Sequence, residues 1–133
     1  MMNRFRFEFD LSVPLTNPEC NLVLPAIREL MKREGLEPNH GQLTPTDDGR
    51  WKMYGSTADL DHDAFIERHG NGRGFEHWQE SVEAAVDRIV TEANPRATAF
   101  PSWVYSEDDD FWEGSWWLPF PCWDRIQPVS TST

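Results

Sequence analysis

The chain has 133 residues, 38% of them hydrophobic, and a formal net charge of −11. That length suits one domain, and no stretch reaches the eighteen or so apolar residues that a helical membrane span requires. The acid excess repels nucleic-acid phosphates and anionic lipid over about 8–10 Å and favours basic proteins as partners.

Residues Met1 to Asp10 are charged and alternating, unlike a secretory leader. Arg4 to Val13 reads as a strand. Phe5, Phe7, Phe9, Leu11 and Val13 take one face, and Arg4, Arg6, Glu8, Asp10 and Ser12 take the other. One wet face implies an antiparallel or mixed sheet covered on one side. A helix follows, starting at Asn17-Pro18 or at Asn21. Pro25 belongs near its first turn or kinks it. Val23, Ile27, Leu30 and Met31 form its apolar stripe, and Gly35 is its expected stop. Thr46 to Arg50 reads as a tight hairpin turn, with Asp48-Gly49 in the type I′ conformation. Residues 40–46 are a weak strand before it. After it, Trp51 and Met53 share one face, and Arg50, Lys52 and Tyr54 share the other.

Asp59 to His69 predicts a short helix, and Gly70 to Gly74 a flexible break. A second main helix runs from about Phe75 to Ala93. Phe75, Trp78, Val82, Ala85, Val86, Ile89 and Ala93 recur at three- and four-residue steps. Ser102 to Tyr105 and Phe111 to Leu118 read as two more strands. The order β-α-β-β-α-β, plus a C-terminal Trp-rich strand, is that of a ferredoxin-like fold. The expected architecture is α+β, a two-layer sandwich with a mostly antiparallel sheet and two main helices on one face. Residues 1–127 form the single domain, and 128–133 a loose tail. Such a fold carries no function by itself.

Few constellations carry chemistry. Asp59-Leu60-Asp61-His62-Asp63 opens like a calcium loop but has Ala64 where glycine is needed and Gly70 where a bidentate glutamate is needed. Helix capping is the plainer role for those acids. His62, His69 and His77 are too widely spaced to share a metal on one straight helix, so no metal or other cofactor is expected. Gly70 to Gly74 precedes a helix but lacks a phosphate-loop ending, and Glu76 and Glu80 oppose phosphate there. Cys20 and Cys122 are too few for a disulfide framework and are expected as reduced thiols in a cytoplasmic protein. Glu8 and Asp10 share a strand face and are expected to pair with Arg50 and Lys52 across the sheet. On that face Tyr54 is the single aromatic, which with the net charge argues against direct nucleic-acid binding.

The C-terminal part is the most informative. From Phe100 to Trp123 aromatic rings alternate with acids, and no basic residue appears before Arg125. The partner-binding candidates are Trp103, Tyr105, Glu107, Asp108, Asp109, Asp110, Trp112, Glu113, Trp116 and Trp117. Adjacent Trp116 and Trp117 point to opposite faces of a regular strand, and one helix layer covers only one face. The other ring needs the Pro119-Phe120-Pro121 return, a second copy of the chain as a homodimer, or a foreign partner. The expected function is a small acidic protein-binding inhibitor. It would be an immunity protein, or a viral or plasmid anti-defence factor, whose carboxylates stand where phosphates would. Its partner would be a basic protein or a nucleic-acid-handling complex. Two other classes compete: a small enzyme or carbohydrate-binding module using the Trp-rich acidic segment, and a structural or assembly subunit.

Overall fold

The structure, a computed structural model, describes residues 3–106. The expected strand Phe111–Leu118, the tail and Cys122 lie outside the described residues.

Strand β1 (Arg4–Leu11) is followed by helix α1 (Asn17–Arg33) and the hairpin β2 (Pro38–Pro45) and β3 (Trp51–Thr57). Short β4 (Leu60–Asp61), helix α2 (His62–His69), helix α3 (Arg73–Ala93) and β5 (Ala99–Ser106) complete the described chain. The sheet runs β2-β3-β1-β5, with every neighbouring pair antiparallel. β4 continues the line of β3 by pairing with the first residues of β1. This is the ferredoxin-like α+β arrangement, with three helices. The alternation of β1 places Phe5, Phe7 and Phe9 in the core with no more than 1% exposure. They meet Val23, Ile27, Leu30 and Met31 of α1 and Phe75, Trp78, Val82, Val86 and Val90 of α3. Val90 takes the core position expected for Ile89, which is only partly buried.

Local chemistry sets the ends of α1. Thr16 caps it: its hydroxyl accepts the Glu19 N–H, and the Glu19 carboxylate accepts the Thr16 N–H at 2.9 Å. Pro25 lies in the helix interior, on its exposed side, and not in the first turn. Gly35, at φ 78°, ends the helix. The Gly35 N–H donates to the Lys32 carbonyl, and the Leu36 N–H donates to the Met31 carbonyl at 2.8 Å. This is a Schellman motif, with Leu36 driven into the core.

The hairpin differs from the expected type I′ turn. Only Gly49 has positive φ in it, at 82°. Thr46 and Arg50 close the loop, with the Thr46 N–H donating to the Arg50 carbonyl at 2.9 Å, and the Gly49 N–H donates to the Thr46 carbonyl. Asp48 therefore avoids the left-handed region, and one glycine turns the chain in a three-residue loop.

The register also corrects the expected ion pairs. Glu8 lies opposite Ser56, and Asp10 opposite Tyr54. Lys52 thus falls beyond the paired part of β1, and Arg50 sits in the loop, bridged to Asp48 at 3.6 Å. Where β3 leaves β1, the Phe7 N–H donates to the Thr57 hydroxyl at 3.0 Å. Thr57 is fully buried, so its side chain supplies a partner that the strand ladder no longer offers.

Candidate functional site

β5 leads directly into the acidic-aromatic segment, and two kinds of contact fix it. Its eight residues pair with β1 from Arg4↔Ser106 to Leu11↔Ala99. It is also held to α3 by two acids one helical turn apart. Glu83 Oε2 accepts the Trp103 Nε1–H at 2.6 Å, and Asp87 Oδ1 accepts the Ala99 N–H at 3.1 Å. These carboxylates have structural work, bracing β5 against α3.

Trp103 lies opposite Phe7 and so faces the helices. Its ring packs 4.6 Å from Phe7 and 5.5 Å from Trp78, centroid to centroid, and it is half-buried. Tyr105, opposite Phe5, faces the same way at the sheet's end but is 48% exposed. The Gln79 side-chain amide donates to its hydroxyl. Phe100 lies opposite Asp10 on the other face and is 56% exposed. Of the candidate residues, Trp103 and Tyr105 are therefore adjacent on one strand face. Glu107, Asp108, Asp109, Asp110, Trp112, Glu113, Trp116 and Trp117 lie outside the described residues.

Beside Tyr105 is an aromatic cluster that periodicity alone did not reveal. Phe5 meets Phe65 at 5.2 Å and Phe75 at 5.7 Å, both edge-on. His62 stands edge-on to Phe75 at 5.1 Å and to Tyr105 at 5.5 Å. His69 stacks on Trp78, 4.6 Å between centroids and 18° between planes. Burial holds the His69 pKa below its ordinary value, and nearby Arg68 adds to this against the opposing Glu34. The Glu34 carboxylate also accepts the Trp78 Nε1–H at 2.9 Å. Asp61 caps α2, its carboxylate accepting the N–H groups of Asp63 and Ala64. That gives the acids of the calcium-like run a structural role, and the helix begins at His62 because Leu60 and Asp61 pair with β1. Among the described residues, no three His, Cys, Asp or Glu side chains gather as a metal site would require.

The sheet face away from the helices carries a polar cluster. Arg6 Nη2 bridges Glu8 Oε2 at 2.7 Å, with both side chains less than a fifth exposed. Arg4 lies 3.9 Å from Asp59. Burial raises the Asp59 pKa, against the pull of Arg4 and Arg6. Ser56 is fully buried there, so the central strands of this face are not the wet surface that the alternation predicts. Tyr54 is pushed up to about 12, by burial first and by the Glu8 charge next. It therefore remains a protonated phenol at neutral pH, able to donate and unable to act as a base. The Cys20 thiol is likewise pushed up to about 12 by burial, with Glu19 adding, so it is no thiolate nucleophile.

No protein-family model matches the chain, and no curated protein matches it. Two solved structures resemble it in fold. One is the de novo designed protein LFR1 1 with a ferredoxin fold, 13% identical, with 82% of this chain and 90% of that chain covered and a TM-score of 0.42. The other is a dimeric ferredoxin-like protein from an uncultured marine organism, 11% identical, with 82% and 99% covered and a TM-score of 0.47. Among the described residues, no helix is long and apolar enough to cross a membrane.

Proposed function

We propose that this protein acts by binding another protein, and that it is an inhibitor of a basic, nucleic-acid-handling partner. An immunity protein or a viral or plasmid anti-defence factor is the biological form of that role. The observation that carries the reading is the position of the exposed rings. Among the described residues the exposed large hydrophobics are Leu22, Phe100 and Tyr105, and the two aromatics both lie on β5. Directly beyond β5 come Glu107, Asp108, Asp109 and Asp110, then Trp112, Glu113, Trp116 and Trp117, with Arg125 the first base. An exposed ring at Tyr105, followed in sequence by a run of acids, would supply an anchor and a long-range field, which is the division of labour at steered interfaces. Further exposed acids, Glu67, Glu76 and Glu80, lie on α2 and α3 and have no ion pair among the described residues.

The test is affinity capture from the native host with cross-linking, at low and at moderate salt. The expected result is a basic protein cross-linked to residues on or after β5, with capture falling as salt rises. Capture unaffected by salt, or cross-links confined to α1 and β2, would reject the reading. Sedimentation of the purified chain separates a homodimer from a foreign complex.

A further inference from the structure

The loop between α2 and α3 carries a piece of chemistry of its own. Asn71 is followed by Gly72, the one Asn-Gly pair in the sequence, and both residues are exposed. Gly72 is the N-cap of α3, at φ 62°, and the helix start has no side-chain cap. Loop backbone bonds join the Gly74 N–H to the Asn71 carbonyl and the Glu76 N–H to the Gly72 carbonyl. The Gly72 N–H itself has no partner among them, and the Asn71 side chain is bonded to nothing described. A carboxamide beside an unbonded amide nitrogen, with no Cβ on the following residue to obstruct approach, is the arrangement that succinimide closure requires.

We propose that Asn71 is a site of spontaneous deamidation. The Gly72 nitrogen attacks Asn71 Cγ, forming the Cγ–N bond of a five-membered succinimide. The Cγ–Nδ2 bond breaks, and the amide leaves as ammonia, taking up the proton lost from the Gly72 nitrogen. Water then opens the ring at either carbonyl, giving aspartate or isoaspartate. No oxidant or reductant takes part. The other asparagines lack these conditions. Asn17 and Asn94 precede proline, whose nitrogen has no proton to lose. Asn3 precedes Arg4, Asn21 lies within α1 before Leu22, and Asn39 lies in β2 before His40, so each is followed by a residue with a side chain.

The two products act oppositely on the fold. Aspartate places a carboxylate at the uncapped start of the 21-residue α3, where the helix dipole favours it. Isoaspartate adds a backbone methylene to the turn into α3, shortly before a close backbone approach at Gly74. A Cβ on Gly74 would already stand 2.4 Å from the His69 carbonyl oxygen. Isoaspartate is therefore the product expected to disturb the junction of α2 and α3, and aspartate the one it tolerates.

The full folded chain is incubated in mildly alkaline buffer and digested with trypsin, against a zero-time digest. Cleavage after Arg68 and Arg73 releases the peptide from His69 to Arg73. That peptide is expected to gain about 1 Da and to split into two chromatographic products, with ammonia released in step. Its rate should exceed that at Asn21 and Asn39 by on the order of tenfold, given the freedom of the glycine backbone. The Asn71→Gln chain should show no such product. An unchanged peptide at times when Asn39 has reacted, or the same charge heterogeneity in Asn71→Gln, would overturn the assignment.

Discussion

The Trp103 indole N–H points at Glu83, 2.6 Å from Oε2, and so locks β5 onto α3. The sequence shows Trp103 only as one ring of an aromatic-rich stretch. The structure makes it a joint between the layers, through both its N–H and its packing on Phe7. Trp103→Phe keeps much of the packing and loses the hydrogen bond, so stability should fall by about 1–2 kcal/mol. Trp103→Ala also removes the ring and should cost about 3 kcal/mol, the low end for a core aromatic because the side chain is half-buried. Urea melts of both variants check this. A neutral Trp103→Phe would mean that the Glu83 contact adds nothing.

Gly74 should resist a change that usually helps a helix. Gly to Ala within a helix ordinarily stabilises by about 0.5–1 kcal/mol. Here the new Cβ would meet the His69 carbonyl oxygen at 2.4 Å, a backbone atom that cannot swing away. Gly74→Ala is therefore expected to lose about 1–3 kcal/mol. A raised melting temperature would show that α2 and α3 can separate at no cost.

His69 predicts a pH dependence whose sign follows from its surroundings. Burial, then the Arg68 charge, holds its pKa below the ordinary histidine value, while Glu34 pulls the other way. The fold thus prefers the neutral ring. The stability this contributes is fully present above the unfolded pKa of about 6.5. It is lost as pH falls below that value toward the folded pKa. His69→Phe retains a ring on Trp78 and removes the titration. Between about pH 7 and pH 5 the native chain should lose stability more steeply than His69→Phe, in urea melts at each pH. Equal slopes would show that this ring does not titrate differently on folding. An NMR titration of the four histidines, with His69 identified by its absence in the variant, gives the same answer by a second route.

The fold was largely legible because its signals are periodic. The odd-numbered phenylalanines of β1 and the three-and-four spacing of α3 each fix a buried face, and both faces are where the pattern puts them. What escaped was set by register and by single hydrogen bonds. The Glu8 and Asp10 partners depend on how far β3 runs along β1, which composition does not encode. β4 has only two residues, Leu60 and Asp61, and exists because β1 extends past the end of β3. β5 starts at Ala99 and not at Ser102, since Pro101 reads as a strand breaker yet sits within it. The aromatic cluster around Phe5 draws on β1, α2, α3 and β5 together, so no local window contains it. Of the candidate site, the strand leading into it was legible. The separation of Trp103 from Tyr105, one braced and the other exposed, was not.

The acids after β5 offer the sharpest test of the proposed role, because the molecule contains its own control. Asp108, Asp109 and Asp110 are consecutive, with Glu107 before them and no base nearby in sequence. Glu76 and Glu80 are exposed acids on α3 without ion pairs among the described residues. Both sets contribute to the same net charge, so a partner drawn only by the overall field would respond to both in proportion to the charge removed. A partner docking at the segment beyond β5 would respond mainly to the first, since Coulomb steering is strongest within a Debye length, about 8 Å at physiological salt. Replacing the three aspartates with asparagine is expected to slow association by on the order of tenfold at low salt, an effect that shrinks as salt rises, while dissociation changes little. Glu76→Gln with Glu80→Gln should change the on-rate much less. Thermal melts of both variants are expected to stay close to that of the native chain, the outcome for charges whose role is steering, since exposed charges contribute little to stability. If the aspartate variant associates as fast as the native chain at low salt, the acidic run has no part in recognition and the charge-mimicry reading falls. If both variants slow equally per charge removed, the field is global and the interface must be sought elsewhere than beyond β5.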